Sequence, residues 1–445
     1  MKPYLDILKL VWPLALGMVN NAVMQFVDRA YLAQVSEDAL GAVLPASVLA
    51  WIFMGFFQSV VGYSGVFVAQ YHGAKDPAKC RGCYHAAVLI ALVSGLLMLP
   101  LWPLGSAIIS CTAPNAVIGG LERTYFDILI LGGIFVFGQM AASSFFTGRG
   151  RTRVVYLVNL LGNLANVIAD PFLIFGWCGL PALGVAGAAY VTVACTALQC
   201  VVMMLLAHRE ERGCVEFAAV LSLTGRILRY GVPSGLYEFL NMASFTVFVF
   251  VTEGVGALEL AASNACFTIN YLLFAPMTGF AIGVQTLVGQ ARGRGDDAAA
   301  ASALRRTMIL GLGFVALGCA ATVALHRPIL SLFAPAAVEA SSAFHALGLE
   351  LLLMMSAWML FDAADVIYSG ALKGAGDTKF VMLWMLLSSF GIWLPLVFAV
   401  RSFRNTMPAL WGTMVVYVII ICVGSAIRWR RGGWRRIRLI ESKSA

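Results

Sequence analysis

Residues 69–76 read AQYHGAKD, and 220 positions later residues 289–296 read GQARGRGD. The pairing sets Gln70 against Gln290, Gly73 against Gly293 and Asp76 against Asp296, and Pro13 and Pro233 keep the same offset. Further on, GRGRTR at 148–153 aligns with GAGDTK at 374–379, now 226 positions apart, a slip of six that differing loop lengths would produce. The chain thus repeats one unit twice.

What that unit is made of follows from composition. The 445 residues are 60% hydrophobic and only 12% charged, against about 25% charged in an average soluble domain. Hydropathy divides them into about twelve stretches of the ~20 apolar residues that a helix needs to cross a bilayer. These fall near 7–34, 41–70, 84–105, 122–147, 154–176, 184–207, 229–253, 258–290, 307–325, 345–372, 379–399 and 408–427. The fold class expected is an all-α integral membrane protein with two six-helix lobes, 1–215 and 216–445. The polar segment 208–228 is read as the joint, with the boundary near 215. Because six is even, both lobes enter the membrane from the same side, so the repeat is parallel and its axis runs along the membrane normal.

A net charge of +8 raises the question of nucleic acid, but the basic residues are dispersed among short loops. Assigning alternate loops and both termini to one side collects 25 of the 30 Lys and Arg there, leaving Arg29, Arg123, Arg327, Arg401 and Arg404. The positive-inside rule makes that side cytoplasmic. The reading is a multi-pass protein of a bacterial-type plasma membrane, expected as a monomer, with no nucleic-acid partner. Its basic tail, from Arg428 to Lys443, is expected to contact anionic lipid headgroups. No cleavable signal is expected before the first span, since Pro13 to Asp28 is already polar-striped and lacks a small-residue cleavage site.

Polar residues inside two spans carry the functional reading. In NLLGNLANVIAD, 159–170, the spacing of Asn159, Asn163, Asn166 and Asp170 places all four within an arc of about 60° on one helix face. Asn21, Gln25 and Asp28 repeat the pattern in the first span. A carboxylate at mid-bilayer costs about 3 kcal/mol on insertion scales, so two striped helices imply a wet or protein-lined interior. The stripes are expected to face each other across an ion site, with Asn159 and Asn163 serving as interhelical links rather than ligands. Arg29 is no natural partner for Asp28, because consecutive helix residues point about 100° apart.

Other signals are weaker. Cys80 and Cys83 form a lone CxxC with no second pair or His pair beside it, and no cofactor is expected. Cys111 and Cys178 fall in outer loops. The glycines of the GxxD and GxGxT loops are read as helix ends and tight turns. No Walker pattern occurs, which leaves ATP out as a direct energy source. Neither HExxH, GxSxG nor an intramembrane His is found, so a membrane protease or acyltransferase lacks its residues and an enzyme is not expected.

Taken together, Pro13 followed by FVDRAYLA, VAQYHGAKD, TGRGRTR, NVIADPFLIFG, GVAGAAYVT, VGQARGRGD and GALKGAGDTK resemble the multidrug and toxic compound extrusion (MATE) family of secondary antiporters, in its NorM-like or a related bacterial branch. The resemblance covers nearly the whole chain. It implies two lobes that rock between outward and inward states around a V-shaped cavity, exchanging small amphipathic organic cations or drugs for Na+ or H+. It places the family's amino-lobe cation or proton pocket on Asp28, Asn166, Asp170 and Thr192, an oxygen-only set suited to Na+ or a proton rather than a transition metal. In the carboxyl lobe, Asp362 stands where the NorM-like branch carries an aspartate before GALRG, with Asp365 one turn later. The branch also carries a glutamate eight residues after the seventh helix's proline. Here Asn241 occupies that position, and Glu238, one turn earlier, is the candidate substitute.

Three alternatives stand beside this reading. A lipid-linked saccharide flippase of the same superfamily would need several Arg or Lys in its spans to grip pyrophosphate, and apart from Arg29 they carry almost none. A single-metabolite exporter differs only in substrate, and a channel explains the repeat less well.

Overall fold

The computed structural model describes residues 2–210, 216–334 and 338–441. Among them it contains helices and turns and no strand. Twelve helices are long and apolar enough to cross a membrane. They are α1 (Tyr4–Val35), α2 (Glu37–Gly73), α3 (Pro77–Thr112), α4 (Ala116–Gly148), α5 (Thr152–Ile174), α6 (Val185–Glu210), α7 (Phe217–Thr252), α8 (Ala257–Gly293), α9 (Asp297–Ala324), α10 (Ser342–Ala375), α11 (Thr378–Phe403) and α12 (Met407–Arg430).

The repeat survives as packing. In the first half α4 is the hub, against α2, α3 and α6, while in the second half α10 packs on α9 and α12. A β-carbon on Gly148 of α4 would meet the carbonyl of Gly65 on α2, and one on Gly374 of α10 would meet the carbonyl of Gln285 on α8. These are the same contact at the two offsets of the sequence alignment.

The turns repeat as well. Gly150 and Gly376, 226 apart, both adopt left-handed backbone, with φ of 77° and 98°. In the GxxD loops the left-handed residues are Lys75 (φ 58°) and Gly295 (φ 75°), 220 apart. The aspartate of each loop is a helix N-cap: Asp76 accepts from the Lys79 backbone N–H at 3.1 Å and Asp296 from that of Ala299 at 2.8 Å. Pro77 follows at the first helical position, where its missing N–H is no loss. Gly73 and Gly293 are therefore not the turn residues. They are helical, and their role is the close approach of α2 and α8.

The loops after α4 and α10 are held by ion pairs of opposite sense. Arg149 and Arg151 both reach Glu210 at the end of α6, the former at 3.2 Å. Asp377 accepts from Arg428 near the end of α12 at 2.7 Å. Two of the three arginines of GRGRTR, Arg149 and Arg151, thus already hold a carboxylate.

By its contacts the chain falls into two compact units, one holding Trp12–Glu238 and Gly289–Gly295, the other Phe239–Val288 and Asp296–Leu439. The joint expected near 215 falls among residues 211–215, outside the described residues. The polar segment that precedes the seventh span is not a linker throughout. Residues 217–228 already belong to α7, and Val220, Leu223 and Ile227 are buried at spacings of three and four, an amphipathic helical face that a hydropathy window averages away.

Candidate functional site

The two polar stripes meet. Asn163 on α5 donates its amide to Asn21 on α1 at 3.3 Å, and Asn20 reaches the backbone carbonyl of Asn159 at 3.5 Å. The contact extends to two residues the stripe argument did not include. Gln199 on α6 donates to Asn163 at 3.2 Å, and Gln139 on α4 donates to Gln199 at 2.6 Å and to Asn159 at 2.9 Å. Four helices are thus joined by one chain of side-chain amides. Its closeness depends on Gly162, where a β-carbon would overlap the Gln199 side chain. Asn159 and Asn163 serve as links between helices, with Asn163 satisfied at both ends of its amide.

One to two turns along α5 the character changes. Asn166 and Asp170 are 1% and 0% exposed, and Asp28 on α1 is 6% exposed. Asp28 and Asp170 are neighbours, close enough for each carboxyl to act on the other. Asn166 donates to the hydroxyl of Thr192 on α6 at 3.5 Å, a long contact. The four residues assigned to the amino-lobe pocket are therefore brought together by three helices, α1, α5 and α6. Pro171 follows Asp170 inside α5 and has no N–H for the carbonyl four residues back, which loosens the helix where the carboxylate sits.

Most of the acceptor atoms in this group lack donors. Asp28 Oδ1, both carboxylate oxygens of Asp170 and Asn166 Oδ1 are buried with no hydrogen-bond partner among the described residues. Buried polar atoms are nearly always paired, and a buried charge without a partner is costly. Four such oxygens in one group form a strongly electronegative site enclosed by protein.

Two neighbours of the carboxylates were not anticipated from sequence. Tyr125 on α4, 6% exposed, lies near Asp28, Asp170 and Ser47. Cys195, one turn after Thr192 on α6, lies near both aspartates. Spacing from Thr192 was a usable signal for Cys195. Tyr125 offered none, because a single Tyr in an apolar span reads as packing.

The carboxyl-half candidates separate. Asp362 and Asp365 sit one turn apart on α10 and act on each other electrostatically. Asp365 is buried and accepts from the Ser425 hydroxyl of α12 at 2.6 Å, with Lys373 also close enough to act on it. Asp362 is half-buried, and Tyr417 of α12 lies near both carboxylates. Glu238 is half-buried on α7, whereas Asn241 is exposed, its backbone carbonyl accepting from Ser244 at 3.0 Å. Among the described residues no group of three or more His, Cys, Asp or Glu is arranged to hold a metal ion. Cys80 and Cys83 are buried on α3, where the Cys80 thiol donates to the Val68 carbonyl at 3.6 Å, and Cys111 and Cys178 are exposed free thiols.

The sequence model of the MatE family matches residues 13–172 and 233–399. The chain belongs to the MatE family. Each matched segment begins at one of the two prolines that open the repeat. A probable multidrug resistance protein NorM of Thermotoga maritima is 25% identical over 440 residues, covering 97% of this chain and 93% of that protein. One of Pseudomonas aeruginosa is 28% identical over 408 residues, covering 88% and 81%. Among solved structures, an outward-facing multidrug resistance MATE family transporter of the MOP superfamily superposes with a TM-score of 0.86 at 17% identity, over 98% of this chain and 97% of that one. A MATE transporter in complex with MaL6 gives 0.85 at 18% identity, over 98% of each. Such identities establish a shared fold, and with it the twelve-helix MatE architecture of this chain.

Proposed function

We propose that this MatE protein is a secondary multidrug efflux transporter that exchanges amphipathic organic cations for Na+ or H+. The observation that carries the reading is the pair Asp28 and Asp170, two neighbouring carboxylates enclosed by protein, three of whose four oxygens are buried without a donor among the described residues. Two like charges in such a place need a compensating proton or cation. An oxygen-only set of Asp28, Asn166, Asp170 and Thr192 suits a proton or a hard monovalent ion. The NorM names of the relatives support drugs as cargo.

The coupling follows from competition for one charge. A bound ion shifts the balance between two states only if its affinity differs between them. Two lobes, 1–215 and 216–445, that rock between outward-facing and inward-facing arrangements supply the two states. Proton or Na+ entering the pair from outside would displace an organic cation that relies on the same negative charge, giving exchange. Asp362, with Asp365 held by Ser425, is the carboxyl-lobe candidate for a second charge, and Glu238 on α7 is the candidate substitute for the family glutamate whose position Asn241 occupies. Both termini are cytoplasmic in this reading, since that side then holds 25 of the 30 Lys and Arg.

The test is transport by purified protein in liposomes, with Na+ and proton gradients imposed separately. Accumulation of a lipophilic cation driven by either gradient supports the proposal. Equal uptake with and without both gradients contradicts it.

A further inference from the structure

On the face of the second unit where α9 begins and α10 and α12 end, a cavity of about 290 Å³ opens between the three helices. Its wall combines Met308 and Ile309 of α9, Tyr368 of α10 and Trp429 of α12 with two arginines, Arg305 and Arg430. Both arginines are exposed, and among the described residues neither forms an ion pair with a carboxylate. The arginine next in line, Arg428, is by contrast committed to Asp377.

The cavity wall is built rather than incidental. Gly432 takes left-handed backbone (φ 70°) and turns the chain back under α12. That turn brings Trp434 against Trp429, ring centroids 4.3 Å apart and nearly parallel, with the Trp434 indole N–H donating to the Trp429 carbonyl at 3.0 Å. Trp434 is 1% exposed. Trp429 is thereby fixed as a rigid aromatic side of the cavity. Next to it the helix surfaces are lipid-like: Ile309 and Ile427 are 54% and 44% exposed.

We propose that this groove binds one anionic phospholipid of the leaflet on that face, its phosphate between Arg305 and Arg430 and the start of an acyl chain along Met308 and Ile309. Charge complementarity selects the occupant. Two uncommitted guanidiniums at the end of membrane helices match a phosphate, and guanidinium holds phosphate in a planar, two-pronged geometry. An apolar cavity continuous with an exposed apolar helix surface matches a chain rather than water. Basic pockets between helix ends are the recurrent form of such sites. By parity of the twelve spans this face is the one that carries both termini, so the proposal places the lipid in the same leaflet that the basic tail faces. It is independent of the transport reading above.

The test is native mass spectrometry of the purified full chain, titrated with phosphatidylglycerol or with phosphatidylcholine. The wild type should retain one phosphatidylglycerol with clear preference over phosphatidylcholine. Arg305→Gln/Arg430→Gln should weaken that binding by about tenfold or more. Ala301→Trp, which fills the cavity and keeps both arginines, should weaken it as well, and Arg401→Gln/Arg404→Gln, on the opposite face, should leave it unchanged. Equal retention of the two lipids by the wild type would overturn the proposal. So would undiminished phosphatidylglycerol binding in the double arginine variant or in Ala301→Trp, or displacement of the lipid by inorganic phosphate at matched concentration.

Discussion

Gly73 lies so close to Gln290 that a β-carbon on the glycine would overlap the glutamine's carbonyl oxygen, and Gly293 stands in the same relation to Gln70. The crossing is reciprocal, made by equivalent residues of the two copies of the repeat, and the Gln290 side chain adds a bond to the Gly148 carbonyl at 2.9 Å. We expect Gly73→Ala and Gly293→Ala each to destabilise the protein by about 1–3 kcal/mol, because backbone rather than a flexible side chain must give way. Gly120→Ala is the contrast, since nothing lies within 4 Å of a β-carbon there. It should leave stability unchanged or raise it by up to about 1 kcal/mol. Thermal unfolding of the three variants in one detergent separates them.

Asp377 is 4% exposed and its carboxylate rests on Arg428, which also lies over the Phe380 ring at 5.0 Å. Removing the cation strands a buried charge, whereas Asp377→Asn keeps an acceptor and removes the charge. Arg428→Gln should therefore cost about 1–3 kcal/mol, more than Asp377→Asn. If unfolding midpoints rank the two the other way, the carboxylate does not depend on this partner.

These contacts also mark where sequence reading stops. The twelve spans were legible because hydrocarbon thickness imposes their length, and the stripes on α1 and α5 were legible because period and polarity agree. Asn163 does meet Asn21, and Asp28 does meet Asp170. Gln139 and Gln199 were visible as glutamines in apolar spans, but which helix packs on which is a tertiary fact that periodicity does not carry. The start of α7 was hidden by Thr224, Gly225 and Arg226, which lower the local hydropathy of a segment that is helical and half-buried. Asp76 and Asp296 were readable as N-caps, the first with a proline directly behind it. The glycines three residues earlier drew the turn argument instead, although their role is the close crossing of two helices.

The amide chain and the carboxylate pair should respond differently to substitution. Asn163→Ala removes bonds to Asn21 and Gln199 and should cost about 1 kcal/mol of stability while transport persists at a reduced rate. Complete loss of transport in a protein that folds as stably as wild type would instead make Asn163 a ligand.

In the carboxyl half, Asp365 already accepts from Ser425 at 2.6 Å, whereas Asp362 is half-buried and has no such bond among the described contacts. Asp362→Asn should lower transport several-fold more than Asp365→Asn. Equal and negligible effects, read as initial rates in liposomes at matched protein levels, would leave this half without an essential carboxylate.

The central claim is that Asp28 and Asp170 share a charge for which coupling ion and organic cation compete. It is tested most directly by equilibrium binding of a fluorescent lipophilic cation to purified protein across a pH series, with and without Na+. As pH falls the pair takes up a proton and loses negative charge, so affinity should weaken, and Na+ should weaken it at fixed pH if Na+ is the coupling ion. Asp28→Asn and Asp170→Asn should flatten both dependences while the protein remains folded. Wild-type affinity that responds to neither pH nor Na+, or variants that keep the full dependence, would contradict the account.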